Sequence, residues 1–274
     1  MHTLLTKYIS CAALFLMLQP VWAQEESKEQ LTVALSEPGK PATLKVDIVS
    51  GSIRVIGYAG KEVQIEASSP ARRDEESPRA NAQGMKRIVN SGFELTARES
   101  GNRVVVETDG HHRNISLVIR VPTQCALDLS TVHNGNVTVE NVSGAMEISS
   151  VHGGITLTNV SGSVVANTVH GDLVVKFREV TPNAPMAFTT LHGDVDVTFA
   201  GNIKASPKIK SDRGEIFTDY DMAIDKRGQK EEKRNESGVY KVSVDEWIYG
   251  KINGGGPEML FKTMYGNIYI RKAR

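Results

Sequence analysis

The sequence predicts an all-β fold, a right-handed parallel β-solenoid or β-helix built from coils of about 20 residues. Three observations predict it. Closely similar short segments recur at a nearly constant interval. Apolar and polar residues alternate with a period of two inside each segment. Glycine punctuates the segment ends.

The repeats are visible by direct comparison. Residues 131–144 read TVHNGNVTVENVSG, 150–162 read SVHGGITLTNVSG, 168–175 read TVHGDLVV and 190–197 read TLHGDVDV. Weaker copies are SDRGEIFT at 211–218, TMYGNIYI at 263–270 and an early VSGSIRV at 49–55. His133 to His152 is 19 residues, His152 to His170 is 18, His170 to His192 is 22 and His192 to Arg213 is 21. The longer intervals absorb local insertions, such as Thr181-Pro182-Asn183-Ala184-Pro185.

Within each unit Val137 and Val139 alternate with Thr138 and Glu140, and Ile155 and Leu157 with Thr156 and Thr158. Leu173 and Val175, then Val195 and Val197, continue the pattern. Such alternation with β-branched enrichment marks half-buried strands. A unit holding two short strands cannot bury an apolar face alone, whereas stacked units form one continuous core with a coil spacing of about 4.8 Å. Val137, Ile155, Leu173, Val195, Ile216 and Ile268 are therefore expected to form an interior ladder. Asn141 and Asn159 are expected to stack at a corner and join coil to coil. Gly135, Gly144, Gly153, Gly162, Gly171, Gly193, Gly214 and Gly266 are the expected repeat corners. An antiparallel sandwich or barrel is the competing architecture, but ordinary hairpin turns do not usually repeat the same residues at the same phase.

Residues 1–23 read as a secretory signal peptide: a short polar start with Lys7, an apolar run from Ile9 to Leu18, and Val21-Trp22-Ala23 before the expected cleavage. The run is too short to span a bilayer, and no later segment approaches that length. Residues 24–274 are expected to form a single β-solenoid domain, with charged loops near 70–84 and 225–238. Cys11 leaves with the signal peptide. Cys125 is then alone, so the fold rests on packing rather than on an internal disulfide. Lysine plus arginine equals aspartate plus glutamate, at 32 each, which gives no electrostatic case for nucleic-acid binding. The basic end, Arg271-Lys272-Ala273-Arg274, is expected to discourage sheet addition at an exposed coil edge.

The tandem NVSG at 141–144 and 159–162, the segment SGSVVANTVHGDLVVKF at 161–177 and the closing TMYGNIYIRKA at 263–273 resemble the DUF4097 family of adhesin-like β-strand-repeat proteins. The resemblance covers nearly the whole mature chain and is specific as a repeat pattern. It implies a secreted or cell-envelope β-solenoid without an established catalytic site. It also implies an alternative role, because some relatives are implicated in envelope-stress responses. Relatives commonly carry Asn-Gly where this chain has His152-Gly153, His170-Gly171 and His192-Gly193.

The histidines are the most chemical feature. His133, His152, His170 and His192 share one repeat phase and form a column, continued by Arg213 and Tyr265. Imidazole binds zinc and copper. Against that, histidine tolerates positive φ, as asparagine does, and so suits a turn. The turn reading is taken, with a metal-binding column as its alternative. Asp172, Asp194 and Glu215 follow the corners and read as solvated carboxylates. Nucleophile motifs, phosphate-cradling loops and finger-type clusters are missing from the sequence. The adjacent pair His111-His112 points to opposite faces of a strand. Trp247, Tyr249, Tyr265 and Tyr269 are read as capping one end of the core.

The expected protein is exported to the periplasm or cell surface. It is non-enzymatic, needs no cofactor, and presents a rigid surface to a glycan or an envelope protein. The alternatives are an envelope-stress regulator or antimicrobial-peptide sensor, and a carbohydrate-active β-helix enzyme.

Overall fold

The structure is a computed structural model that describes residues 27–69, 95–108, 114–225, 231–236, 239–244 and 247–273. The signal peptide, the loop near 70–84 and His111-His112 lie outside these residues. The described chain is all-β, with no helix. Its first part holds β1 (Ser27–Ala34), β2 (Ala42–Ser50), β3 (Ile53–Tyr58), β4 (Glu62–Ser69), β5 (Leu95–Ser100), β6 (Arg103–Thr108) and β7 (Ser116–Pro122). The repeat region follows, with β8 (Cys125–His133), β9 (Val137–Glu140), β10 (Ser143–His152), β11 (Ile155–His170), β12 (Leu173–Val180), β13 (Met186–His192) and β14 (Val195–Phe199). Then come β15 (Ser206–Ser211), β16 (Ile216–Thr218), β17 (Met222–Asp225), β18 (Glu231–Glu236), β19 (Val239–Val244), β20 (Ile248–Ile252), β21 (Glu258–Thr263) and β22 (Ile268–Lys272).

Two long ladders result. One runs β6, β2, β8, β10, β11, β13, β21, β15, all parallel. The other runs β7, β3, β9, β11, β12, β14, β22, β16, also parallel. β11 serves both ladders, and its register shifts between Thr158 and Ser161, where the chain turns from one to the other.

A uniformly parallel stack is not what forms, because antiparallel strands add to the ladders at both ends. β5 pairs with β6, β4 with β7 and β1 with β4 at one end. At the other end β20 pairs with β15 and β17 with β20. Antiparallel strands can follow from short turns, whereas continuing a parallel ladder requires a crossover. Part of the segment expected as a loop near 225–238 is also strand: β18 pairs antiparallel with β19.

Spatial order differs from chain order. The first ladder residue of each coil follows the path Leu117, Ile53, Val137, Ile155, Leu173, Val195, Ile268, Ile216. The expected ladder is present, but Ile268 lies between Val195 and Ile216. β21–β22 is thus inserted between β13–β14 and β15–β16, and β2–β3 between β6–β7 and β8–β9. Each of these coils near a chain end is held on both sides. The basic residues Arg271 and Lys272 belong to β22, an interior strand, so they do not guard an edge.

The core lies between the ladders. In the opposing ladder Val106, Val46, Leu129, Ile148, Ala166, Phe188, Phe261 and Ile209 follow one another in register. Small Ala166 is followed by a phenylalanine cluster. Phe177 stacks on Phe199 at 5.0 Å and Phe188 on Phe261 at 5.2 Å, while Phe177 meets Phe188 edge-on at 6.2 Å. Tyr220 closes this end, donating its hydroxyl to the Ala200 carbonyl at 2.7 Å; burial pushes its phenol up to about 12.

Phe261→Ala should lower stability by about 3–5 kcal/mol, the usual loss for truncating a buried phenylalanine. Phe217→Ala, at a side chain 45% exposed, should change it by no more than about 0.5 kcal/mol. Urea titration followed by near-ultraviolet circular dichroism measures both; equal effects would contradict the placement of β21.

Candidate functional site

The repeated corner is the candidate site, and its geometry follows from stacking. A Cβ on Gly153 would collide with the Gly135 carbonyl, and one on Gly193 with the Gly171 carbonyl. The same holds for Gly135 on Gly51, Gly171 on Gly153, Gly266 on Gly193 and Gly214 on Gly266. Gly193 also has φ of +138°, a conformation L side chains rarely adopt. At the second corner a Cβ on Gly144 meets the Cys125 carbonyl, and one on Gly162 the Gly144 carbonyl. Backbone amides bridge the coils here: Gly153 N donates to His170 O at 2.9 Å and Gly171 N to His192 O at 2.8 Å.

A buried hydroxyl ladder lies beneath the glycines. Thr131 donates to the Gly51 carbonyl (3.0 Å), Thr168 to Gly153 (2.9 Å), Thr190 to Gly171 (3.1 Å), Thr263 to Gly193 (3.0 Å) and Ser211 to Gly266 (2.9 Å). Ser150 occupies the same phase, yet its buried hydroxyl has no partner among the described residues. This ladder escaped the sequence reading. Its signal was the Ser or Thr two residues before the corner residue in every quoted repeat except the early copy, where Ile48 stands.

A third ladder uses the residue after the glycine. Asp172 Oδ1 accepts from Asp194 N at 2.9 Å, Asp194 Oδ1 from Asn267 N at 2.7 Å, and Asn267 Oδ1 from Glu215 N at 2.9 Å. Asn136 Oδ1 accepts from Gly154 N at 2.9 Å. Asp172 and Asp194 are thus backbone-bonded rather than simply solvated, and Asn267 separates Asp194 from Glu215. Asn159 donates its amide to Asn141 Oδ1 at 2.6 Å, and both residues have positive φ.

The imidazoles form an exposed stack. Ring centroids are 5.5 Å apart for His133–His152, 5.1 Å for His152–His170 and 4.9 Å for His170–His192. Tyr265 stacks on His192 at 4.5 Å, and the Arg213 guanidinium lies 5.2 Å over Tyr265. Tyr265 therefore precedes Arg213 in the column. The turn argument for histidine needs correction. Every non-glycine residue with positive φ among those described is asparagine; the positive φ falls on Asn134 after His133, on Gly171 after His170 and on Gly193 after His192, and never on a histidine. Each histidine is the last residue of its strand.

The late aromatics do not form one cap. Tyr265 belongs to the column. Tyr269 stacks on Phe217 at 5.2 Å on an outer face, with the Arg271 guanidinium 4.8 Å over its ring. Asp196 holds Arg271 at 2.8 and 3.0 Å and keeps its guanidinium protonated above its ordinary range. Lys208 lies 4.7 Å over Trp247 and 5.9 Å from Tyr249. Cys125 is buried, and that burial pushes its thiol up to about 12.

These features define a class: an all-β repeat protein whose units stack corner on corner through parallel ladders. Residues 94–246, more than half of the chain, match the family model described as Toastrack DUF4097. The chain belongs to this family. Among solved structures it is similar to a candidate cell adhesion protein from Clostridium sporogenes, at 10% identity and a TM-score of 0.49, covering 91% of this chain and 100% of that one. It is also similar to a candidate adhesin from Bacteroides fragilis, at 11% identity and a TM-score of 0.38, covering 90% and 98%. No curated protein matches the chain in sequence. No helix among the described residues is long and apolar enough to cross a membrane.

Ser150→Thr should add about 0.5–1 kcal/mol by fixing a hydroxyl that Thr131, Thr168 and Thr190 already place on the corner carbonyls. Gly153→Ala should cost about 1–3 kcal/mol through the carbonyl clash. Denaturant midpoints test both, and a destabilising Ser150→Thr would sink the hydroxyl argument. Separately, the raised Cys125 thiol stays neutral and shielded at pH 8, so a thiol reagent should label it only at the rate of global unfolding.

Proposed function

We propose that this is an exported, non-enzymatic protein of the cell envelope, in the periplasm or on the surface, that recognises glycans with a rigid repeat face. On this reading the two ladders are the faces of right-handed coils, closed at each end by the antiparallel strands. The observation that carries the reading is the platform formed by Phe217, Tyr269 and Arg271. Two nearly parallel rings, inclined by only 9°, lie on an outer face with Phe217 exposed. Arg271 is braced over Tyr269 by Asp196. Thr138, Thr156, Val174 and Asp196 continue the Tyr269 row along the same face. The exposed Phe217 ring of this stack suits the apolar face of a pyranose, and the neighbouring hydroxyls and charges suit its hydroxyl groups.

The non-enzymatic part is supported by how the reactive groups are used. The carboxylates of Asp172 and Asp194 accept backbone amides, Asp196 is paired with Arg271, and Cys125 is buried as a neutral thiol. These are scaffold duties.

A glycan array probed with the mature protein, alongside a pull-down from envelope extract, tests the reading. Binding to one glycan class should be saturable, and Phe217→Ala with Tyr269→Ala should weaken it at least tenfold while leaving the circular dichroism spectrum unchanged. Capture of a single membrane protein with no glycan signal would replace this reading with envelope regulation. Glycan turnover would replace it with catalysis.

A further inference from the structure

The histidine column is independent of the aromatic platform and has a chemistry of its own. Its rings are exposed, stacked with nearly parallel planes in two of the three steps (2° and 9°), and spaced by the strand repeat rather than by any packing demand of the core. His152 Nδ1 lies 3.3 Å from the Val132 carbonyl. A carbonyl oxygen can only accept, so Nδ1 is the donor, and in the neutral tautomer that makes this contact the lone pair is on Nε2. That is the arrangement metal-binding histidines use, with one ring nitrogen on a backbone carbonyl and the other free to ligate.

Among the described residues no three His, Cys, Asp or Glu side chains converge to hold an ion. A closed, all-protein tetrahedral site is therefore not what the column offers. It offers neighbouring pairs of imidazoles. A metal bound by two nitrogens at about 2.0–2.1 Å spans at most about 4.2 Å between them. Stacked rings 4.9–5.1 Å apart hold their in-plane lone pairs side by side, so both rings must rotate to converge on one ion, a motion that the broad χ2 of an exposed histidine permits.

We propose that the column binds borderline divalent cations, Cu2+ most tightly, as open two-imidazole sites whose remaining positions are filled by water. Imidazole ligands with an unconstrained, water-completed geometry favour copper over nickel and zinc, and exclude calcium and magnesium, which require oxygen donors. Each histidine serves one ion. Full loading thus pairs His133 with His152 and His170 with His192, giving two ions per column. Ser50, in register with His133, and Tyr265, stacked on His192, end the array.

Two double variants separate pairing from mere histidine content. His133→Ala/His192→Ala leaves His152 and His170 adjacent. His152→Ala/His170→Ala leaves His133 and His192 three coils apart. Both lose two imidazoles and keep every other histidine. Isothermal titration with Cu2+ alone at neutral pH, with electron paramagnetic resonance to count equatorial nitrogens, reads the result. The variant that keeps the adjacent pair should bind one more ion than the variant that splits it, with a two-nitrogen signature. The wild type should bind two more. Affinity at the split positions should fall at least tenfold. Thermal melts of the metal-free variants establish that each is folded. Equal copper binding by the two variants, or a wild type that takes up no more than the split variant, would overturn the proposal.

Discussion

The close approach of one corner to the next governs this structure. Strands in a ladder lie about 4.8 Å apart, and at each His-Gly corner that distance leaves no room for a side chain between the backbone of one coil and the carbonyl of its neighbour. Glycine is thus required by contact. Once the corner is fixed, the rest follows in register. A hydroxyl two residues earlier reaches the glycine carbonyl beneath it, and a carboxylate or amide one residue later reaches the next coil's amide. The interior apolar residues then have only one phase available, because a slip by one residue would turn them all outward.

The ends are closed by a different device. An ordinary stack adds its units in order, and its terminal units leave most easily. Here the coils near both chain ends are inserted one place inward, so β2–β3 and β21–β22 each have a parallel neighbour on both sides. The outermost coils are chain-internal segments, and antiparallel strands pair with β6, β7 and β15 at their edges. The same topology requires contacts between residues far apart in the chain, which slows folding.

Sequence made the repeat region legible because stacking copies residue types. Residues 131–199 announce their phase, their inward positions and their corners, and the family follows from the same segments. Order was not legible. A ladder position fixes which residues share a phase but not which coil lies next to which, so Ile268 beside Val195 could not be read from the alternation. The antiparallel closures left no trace either, since alternation is the same in both strand directions. Trp247, Tyr249, Tyr265 and Tyr269 are close in sequence, but their repeat phases send them to different faces. The histidines were assigned a φ that Asn134, Gly171 and Gly193 carry instead, because these residues share the corner and only the backbone distinguishes them.

The corner phase also separates what the fold requires from what it permits. Glycine holds its position from Gly51 to Gly214 without exception across the stack. The strand-end position that precedes it, one residue earlier or, at Gly135, two, holds Ser50, His133, His152, His170, His192, Tyr265 and Arg213. A site that accepts serine, imidazole, phenol and guanidinium is not selected by volume, burial or backbone strain. Stacking between exposed rings adds only about 0.5–1.5 kcal/mol even in favourable pairs, and Tyr265 supplies that as well as imidazole does. Four consecutive histidines at the centre of the column are thus a choice the scaffold tolerates but does not impose. The reason for that choice lies in what imidazole does that serine, tyrosine and arginine do not: it carries a ring nitrogen suited to a borderline metal ion, repeated at the coil spacing along an open surface.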